Sequence, residues 1–171
     1  MVRPAVEKDL KSIKGLLDEA FAPSRYESTL VRAVWGSGEE YFDWVWEEHG
    51  QIIAYILYTQ AFRNGEHIGW HLAPVAVHPS DQARGLGSHL VAETLCQSPL
   101  ADSPVFVLGD PGFYERFEFT KLQLAQCPYD PGNQHFRALR WNDGESVFEI
   151  GYSPSFKKAE RALKGVEHQT G

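Results

Sequence analysis

The stretch from Leu72 to Leu95, LAPVAVHPSDQARGLGSHLVAETL, constrains this chain more than any other. Leu72 to Val77 is apolar, with β-branched Val75 and Val77, and it stops at His78-Pro79-Ser80-Asp81, a polar segment that contains a breaker. That pattern predicts a strand with an abrupt end. From Ser88 onward Leu90, Val91, Thr94 and Leu95 recur at helical spacing, His89, Glu93 and Gln97 fall on the opposite face, and Ser98-Pro99 closes the run. Between strand and helix lies Gln82-Ala83-Arg84-Gly85-Leu86-Gly87, where two glycines allow backbone angles and close approaches that a Cβ would block. A turn that opens directly into a helix aims unpaired N–H groups and the positive end of the helix dipole at one point. Such a point suits an anion, most naturally a phosphate.

Two familiar phosphate loops are excluded. A Walker loop needs Gly-Lys-Ser/Thr, whereas Gly87 is followed by Ser88-His89. A dinucleotide fingerprint starting at Gly85 needs glycine or alanine where this chain has Leu90. An ordinary strand-to-helix turn with two glycines is the plain alternative.

The 171 residues amount to one domain, large enough for a continuous core. Hydrophobic residues make up 43% and charged residues 23%, which is ordinary globular material, and no apolar run reaches the roughly 18 residues that span a bilayer. Met1 to Lys8 lacks the apolar core of a secretory signal, and the two cysteines, Cys96 and Cys127, form no Cys-x-x-Cys pair. The expectation is a cytoplasmic protein with no structural metal, no disulfide framework and no membrane partner. A net charge of −7 argues against a nucleic-acid partner and is compatible with a cationic substrate.

In chain order, Val2 to Val6 reads as a first strand. Leu10, Ile13, Leu17, Ala20 and Phe21 keep a helical stripe from about Asp9 to Ala22, ended by Pro23. Ser24-Arg25-Tyr26-Glu27 reads as a capping box for a second helix, whose buried stripe is Leu30, Val31, Val34 and Trp35. Three strands follow as a meander: Phe42 to Glu47, then Ile52 to Thr59, then Ile68 to Val77 after the Asn64-Gly65 hairpin turn. Pro74 cannot donate to a ladder, so it marks an edge, a bulge or a place where strands part. Val105 to Leu108 forms a further short strand; with the strand before the glycine turn and the intervening helix it makes a βαβ unit, hence parallel neighbours. Phe113 to Phe117 predicts a short helix. Phe136 to Trp141 and Ser146 to Tyr152, joined by Asn142-Asp143-Gly144, predict a last hairpin, and residues 157–171 read as a polar, frayed tail.

Two motifs carry a family resemblance. One runs from Val77-His78-Pro79 through Gly87; the other is Leu108-Gly109-Asp110-Pro111-Gly112-Phe113-Tyr114-Glu115-Arg116-Phe117-Glu118-Phe119. The first resembles the acetyl-coenzyme A pyrophosphate loop of the GNAT N-acetyltransferase superfamily. The second, with the ending Gly151-Tyr152-Ser153-Pro154-Ser155-Phe156, is similar to the YhbS-like subgroup of predicted acetyltransferases. Glu118 stands where the family usually has glycine, and Phe113 where the subgroup often has tyrosine.

The resemblance implies a GNAT fold over residues 1–156: an α+β architecture whose central mixed sheet is flanked by helices, with the fourth and fifth strands splayed. It implies acetyl-coenzyme A as co-substrate, with the main chain of Val75, Ala76 and Val77 on pantetheine and Gln82, Ala83, Arg84, Gly85, Leu86, Gly87 and Ser88 around the pyrophosphate. An exposed, solvated Arg84 is the alternative use of that cation. Phe113 and Tyr114 would line the cofactor, and Tyr114 would be the general acid for the leaving thiolate, against the alternative of a packed core tyrosine. Three side chains compete for the general base, Glu27, His71 and His135, with His71 best placed on the strand leading to the thioester; a water relay would leave no mark in the sequence. The acceptor would be a small-molecule or peptide amine, with a homodimer left open. A non-catalytic acyl-coenzyme A sensor is the competing function.

Overall fold

The computed structural model describes the backbone of residues 1–170 and the side chains of residues 1–165. In chain order the elements are β1 (Val2–Pro4), α1 (Leu10–Ala20), α2 (Tyr26–Trp35), β2 (Tyr41–Glu48), β3 (Gln51–Arg63), β4 (Glu66–Val77) and α3 (Leu86–Thr94). They continue with β5 (Val105–Leu108), α4 (Pro111–Tyr114), β6 (Thr120–Lys121), β7 (Ala125–Gln126), β8 (Phe136–Leu139), β9 (Phe148–Glu149) and α5 (Pro154–Thr170). The chain forms two compact units, and the long strands β3 and β4 supply residues to both.

The first unit comprises Met1–Leu57, Pro74–Val91 and the chain from Pro154 onward. Its sheet runs β1-β2-β3-β4, with β1 antiparallel to β2 in the register Val2↔Trp46, Arg3↔Val45, Pro4↔Trp44. Of the expected stripes, Ile13 and Leu17 on α1 and Leu30, Val31 and Val34 on α2 are buried; Leu16 joins them, whereas Leu10, Ala20 and Phe21 are half-buried. Fully burying each such side chain contributes about 1.5–3 kcal/mol. Trp35 instead reaches Asp43, whose Oδ2 accepts from Trp35 Nε1 at 2.9 Å and from Tyr55 Oη at 2.8 Å. Burial pushes the Asp43 carboxyl up to about 6, because the two donors only partly offset the cost of a charge removed from water.

Two local readings are corrected here. Ser24 and Glu27 do pair, but side chain to side chain, Ser24 Oγ donating to Glu27 Oε2 at 2.7 Å, while Ser24 Oγ accepts from Tyr26 N–H at 3.2 Å. Helix α2 therefore starts a residue later than a reciprocal box would have it. Residues 157–170 are helical rather than frayed: α5 runs Pro154–Thr170 and packs against α2. The sequence after Pro154 is polar on average, yet Phe156 and Ala159 are buried, so an amphipathic face exists where composition alone suggests a tail.

The second unit comprises Tyr58–Ala73 and Ala92–Ser153. Its sheet runs β3-β4-β5-β8-β6. The β3–β4 turn has Asn64 and Gly65 both at positive φ, 49° and 79°, the conformation that two-residue hairpins prefer. Strand β5 is parallel to β4, with Trp70↔Val105, His71↔Phe106 and Leu72↔Val107, and β4 runs on to Val77 beyond that register. Strand β8 is antiparallel to both β5 and β6. Phe106, Phe136, Leu122, Ala138, Phe148 and Ile150 anchor the core of this unit.

The expected last hairpin does not form. Strand β8 pairs with β5, whereas β9 lies parallel to β7 through Ala125↔Phe148 and Gln126↔Glu149. The cause is Asp143. Its carboxylate accepts the backbone N–H groups of Gln123 and Leu124 at 2.6 Å each and of Ala125 at 2.9 Å, which ties the turn to a segment some 18 residues upstream instead of folding it onto its own neighbours.

Candidate active site

Within the first unit, β4 ends at Val77 and the chain passes through a short turn, Pro79–Asp81, into the glycine-rich loop. Gln82 Nε2 donates back to Val77 O at 3.2 Å, fastening the loop to the strand. Ala83 and Gly85 both adopt left-handed backbone angles, φ 63° and 76°. Alanine bears that strain at some cost, and Gly85 bears it freely with open space around its Cα. The chain then enters α3 at Leu86, two residues before the Ser88 start expected from periodicity. The first intrahelical bond is His89 N–H to Gly85 O at 3.1 Å, so the N–H groups before it belong to the turn that precedes the ladder. Gly87 lies inside the helix.

Arg84 is not free to serve that turn alone. Its guanidinium donates to Asp81 Oδ1 at 2.8 Å and to both Glu48 oxygens at 3.1 and 3.2 Å. Those hydrogen bonds raise its pKa further, so it is a permanent cation held by two carboxylates. Glu48, 36 residues away, carries no sequence signal that would reveal this partnership.

Within the second unit, α4 is a single turn set by Asp110, whose side chain accepts from Gly112 N–H at 3.0 Å with Pro111 at the first helical position. An aspartate before proline is the sequence signal of a helix start, and α4 begins at Pro111, two residues before the expected Phe113. This turn carries Tyr114 into the core at 7% exposure. Its ring meets Phe113 and Phe119 edge-on, with centroids 4.9 and 5.7 Å away. Gly109 lies so close that a Cβ there would be 2.7 Å from Tyr114 Cε2. The Tyr114 hydroxyl makes no hydrogen bond among the described residues, and burial, then the Asp110 charge, pushes its pKa up to about 12. Phe113 is half-buried under the Arg116 guanidinium, 4.8 Å from its ring centroid. Glu118 takes φ 71°, the left-handed conformation a glycine would adopt, so the turn keeps its shape without one.

The three base candidates occupy different settings. His71 is 2% exposed, stacked on Tyr152 at 3.7 Å with a 5° interplanar angle. Its Nε2 lies 3.0 Å from Gly151 O, so Nε2 carries a proton and donates it to that carbonyl. Burial drives the imidazole down to about 4, so it is neutral at physiological pH and a weak base. Glu27, in the first unit, is half-buried with its carboxylate on Ser24. His135, in the second, is 59% exposed with Nδ1 3.8 Å from Asp130 Oδ1.

A family model for the GNAT acetyltransferase domain matches residues 39–121, the span from β2 through the glycine loop, β5 and the Tyr114 turn to β6. That span of the chain is similar to the GNAT acetyltransferase domain. The GNAT fold is equally plain in solved structures. A GNAT family acetyltransferase from Brucella melitensis, in complex with acetyl-CoA, is 26% identical with a TM-score of 0.76, over 91% of this chain and 97% of that one. The GNAT family N-acetyltransferase YhbS from Escherichia coli, in complex with CoA, is 27% identical with a TM-score of 0.78, over 92% of this chain and 91% of that one. A putative GNAT acetyltransferase from Desulfovibrio desulfuricans shares the fold at 20% identity and a TM-score of 0.63, over 81% and 97% of the two chains. No curated protein is matched by sequence. Among the described residues, no helix is long and apolar enough to cross a membrane, and no group of three His, Cys, Asp or Glu side chains could hold a metal ion.

Proposed function

We propose that the protein transfers an acetyl group from acetyl-coenzyme A to a primary amine by direct attack, through a tetrahedral intermediate. The observation that carries this reading is the loop of the first unit, where left-handed Ala83 and Gly85 lead straight into α3, and a turn of that kind ahead of a helix suits an anion. A pyrophosphate has the charge and oxygen count such a turn accommodates. The relatives from B. melitensis and E. coli, crystallised with acetyl-CoA and CoA, support the same co-substrate here.

The residue roles are those the resemblance implies, weighed against the chemistry of this chain. Main-chain groups of Val75, Ala76 and Val77 would pair with pantetheine, and a backbone N–H among them would stabilise the oxyanion, an effect worth roughly 3–4 kcal/mol per good donor. Tyr114 would face the departing thiolate. With its pKa pushed to about 12, complete proton transfer to a thiolate near 8.5 is uphill by about 5 kcal/mol, so Tyr114 acts first as a hydrogen-bond donor to the developing charge. Its hydroxyl, with no hydrogen bond among the described residues, is available for that bond.

We assign His71 to structure rather than to the base, since its Nε2–H is committed to Gly151 and its ring to Tyr152. The ammonium proton of the acceptor then goes to Glu27, to His135 or to water.

Titration calorimetry with coenzyme A and a thiol-release assay over a panel of primary amines test the proposal together. Saturable binding and amine-dependent thiol release, rising from about pH 6 to 8 as the amine loses its proton, are the expected results. Absence of binding overturns the reading outright; tight binding with no thiol release from any amine makes the protein an acyl-coenzyme A sensor.

A further inference from the structure

A second constellation lies in the first unit, where α1 meets the end of β4. His78 Nε2 is 2.7 Å from Glu19 Oε2, and His78 Nδ1 is 2.7 Å from Ser80 Oγ. The tautomer follows from a third contact: Ser80 N–H donates to His78 Nδ1 at 3.2 Å, so Nδ1 carries no proton and Nε2 carries it toward Glu19. Ser80 O–H therefore donates to Nδ1. A hydroxyl on an imidazole whose other nitrogen is held by a carboxylate is the arrangement that activates serine as a nucleophile. Asp81 Oδ2 lies 3.9 Å from Nδ1, while Arg84 donates to the other oxygen of Asp81. Ser80 is exposed and can be reached from solvent.

The geometry points to Ser80 as a covalent acyl acceptor, activated by His78 and Glu19, for activated acyl esters and thioesters. In the step, Ser80 Oγ forms a bond to the acyl carbon as the carbon–oxygen or carbon–sulfur bond to the leaving group breaks. The hydroxyl proton passes to His78 Nδ1 and then to the departing phenolate or thiolate, leaving an ester on Ser80 and a neutral imidazole. The imidazolium formed in between is held by Glu19 through Nε2–H. Donation by acetyl-coenzyme A rests on the proposed function; donation by an aryl ester does not.

The test treats the full chain with p-nitrophenyl acetate, and separately with acetyl-coenzyme A, then maps the acetyl group by peptide mass spectrometry. A stoichiometric p-nitrophenolate burst with acetate on Ser80 is expected. Ser80→Ala should abolish the burst, and His78→Gln should slow it by roughly 10²-fold or more, the scale of a lost general base. Glu19→Gln should slow the burst as well, because the amide no longer holds the imidazolium formed in the step, and Glu19→Asp, which keeps a carboxylate, should fall between the two. An acetyl group found on other residues only, or Ser80 acylated by His78→Gln at the wild-type rate and pH profile, overturns the proposal. Coenzyme A calorimetry on the same sample reports separately on the cofactor reading.

Discussion

Tyr114 and His71 are both aromatic, both nearly fully buried, and opposite in their fitness for chemistry. Tyr114 has its ring packed edge-on with Phe113 and Phe119 and, among the described residues, no hydrogen bond on its hydroxyl, whereas His71 has its proton committed to Gly151 and its ring pressed against Tyr152. Removing one oxygen in Tyr114→Phe should leave coenzyme A affinity within a few-fold while thioester turnover falls by ~10²–10⁴. Undiminished turnover, measured where chemistry limits the rate, would make Tyr114 a core residue only. For His71→Gln the expectation is reversed: the amide keeps a donor for Gly151 O but loses the stack, so urea unfolding should show a loss of about 1–3 kcal/mol while the pH profile of turnover keeps its shape. A pH profile that flattens in this variant would return His71 to the chemistry.

At the scale of elements, two short segments test what the turns do. Gly87 takes ordinary helical angles, so Gly87→Val should fold, with about 1 kcal/mol or less of propensity change, yet crowd the helix start and weaken coenzyme A binding strongly. Calorimetry showing unchanged affinity in a folded Gly87→Val variant would remove the pyrophosphate from this loop. Asp143 organises the other segment, where three backbone N–H groups of 123–125 share its carboxylate. Asp143→Ala leaves those donors without their acceptor and should cost about 2–3 kcal/mol, read as faster hydrogen exchange through β7 and β9. Exchange rates equal to wild type would mean that the strands, not the aspartate, hold this region.

For the molecule as a whole, two buried groups shape stability against pH in opposite directions. Asp43 titrates near 6 in the folded chain against about 3.9 unfolded, so its contribution is full below about pH 4 and declines as pH rises through about 6, by about 3 kcal/mol. His71 titrates near 4 against about 6.5 unfolded, so its contribution is present above about pH 6.5 and declines by a similar amount as pH falls through about 4. Asp43→Asn retains an oxygen acceptor for Trp35 and Tyr55 without the charge. Denaturant curves should therefore show it gaining on wild type between pH 4.5 and 7.5, and a constant difference across that range would mean Asp43 is already ionised in the fold. The sequence by itself determined what depends on neighbours along the chain. The buried stripes of α1 and α2, the Asn64-Gly65 hairpin, the glycine loop opening into α3 and the parallel β4–β5 unit are all visible there, because helical and strand periodicity and turn chemistry act over a few residues. Tertiary structure alone decided the partners of His71, Arg84 and Asp143, the pairing of β7 with β9, and the helix beyond Pro154. Those contacts join positions from 18 to 80 residues apart. Which distant groups meet is settled by how the packed elements bury their apolar faces, and no local preference in the sequence encodes it.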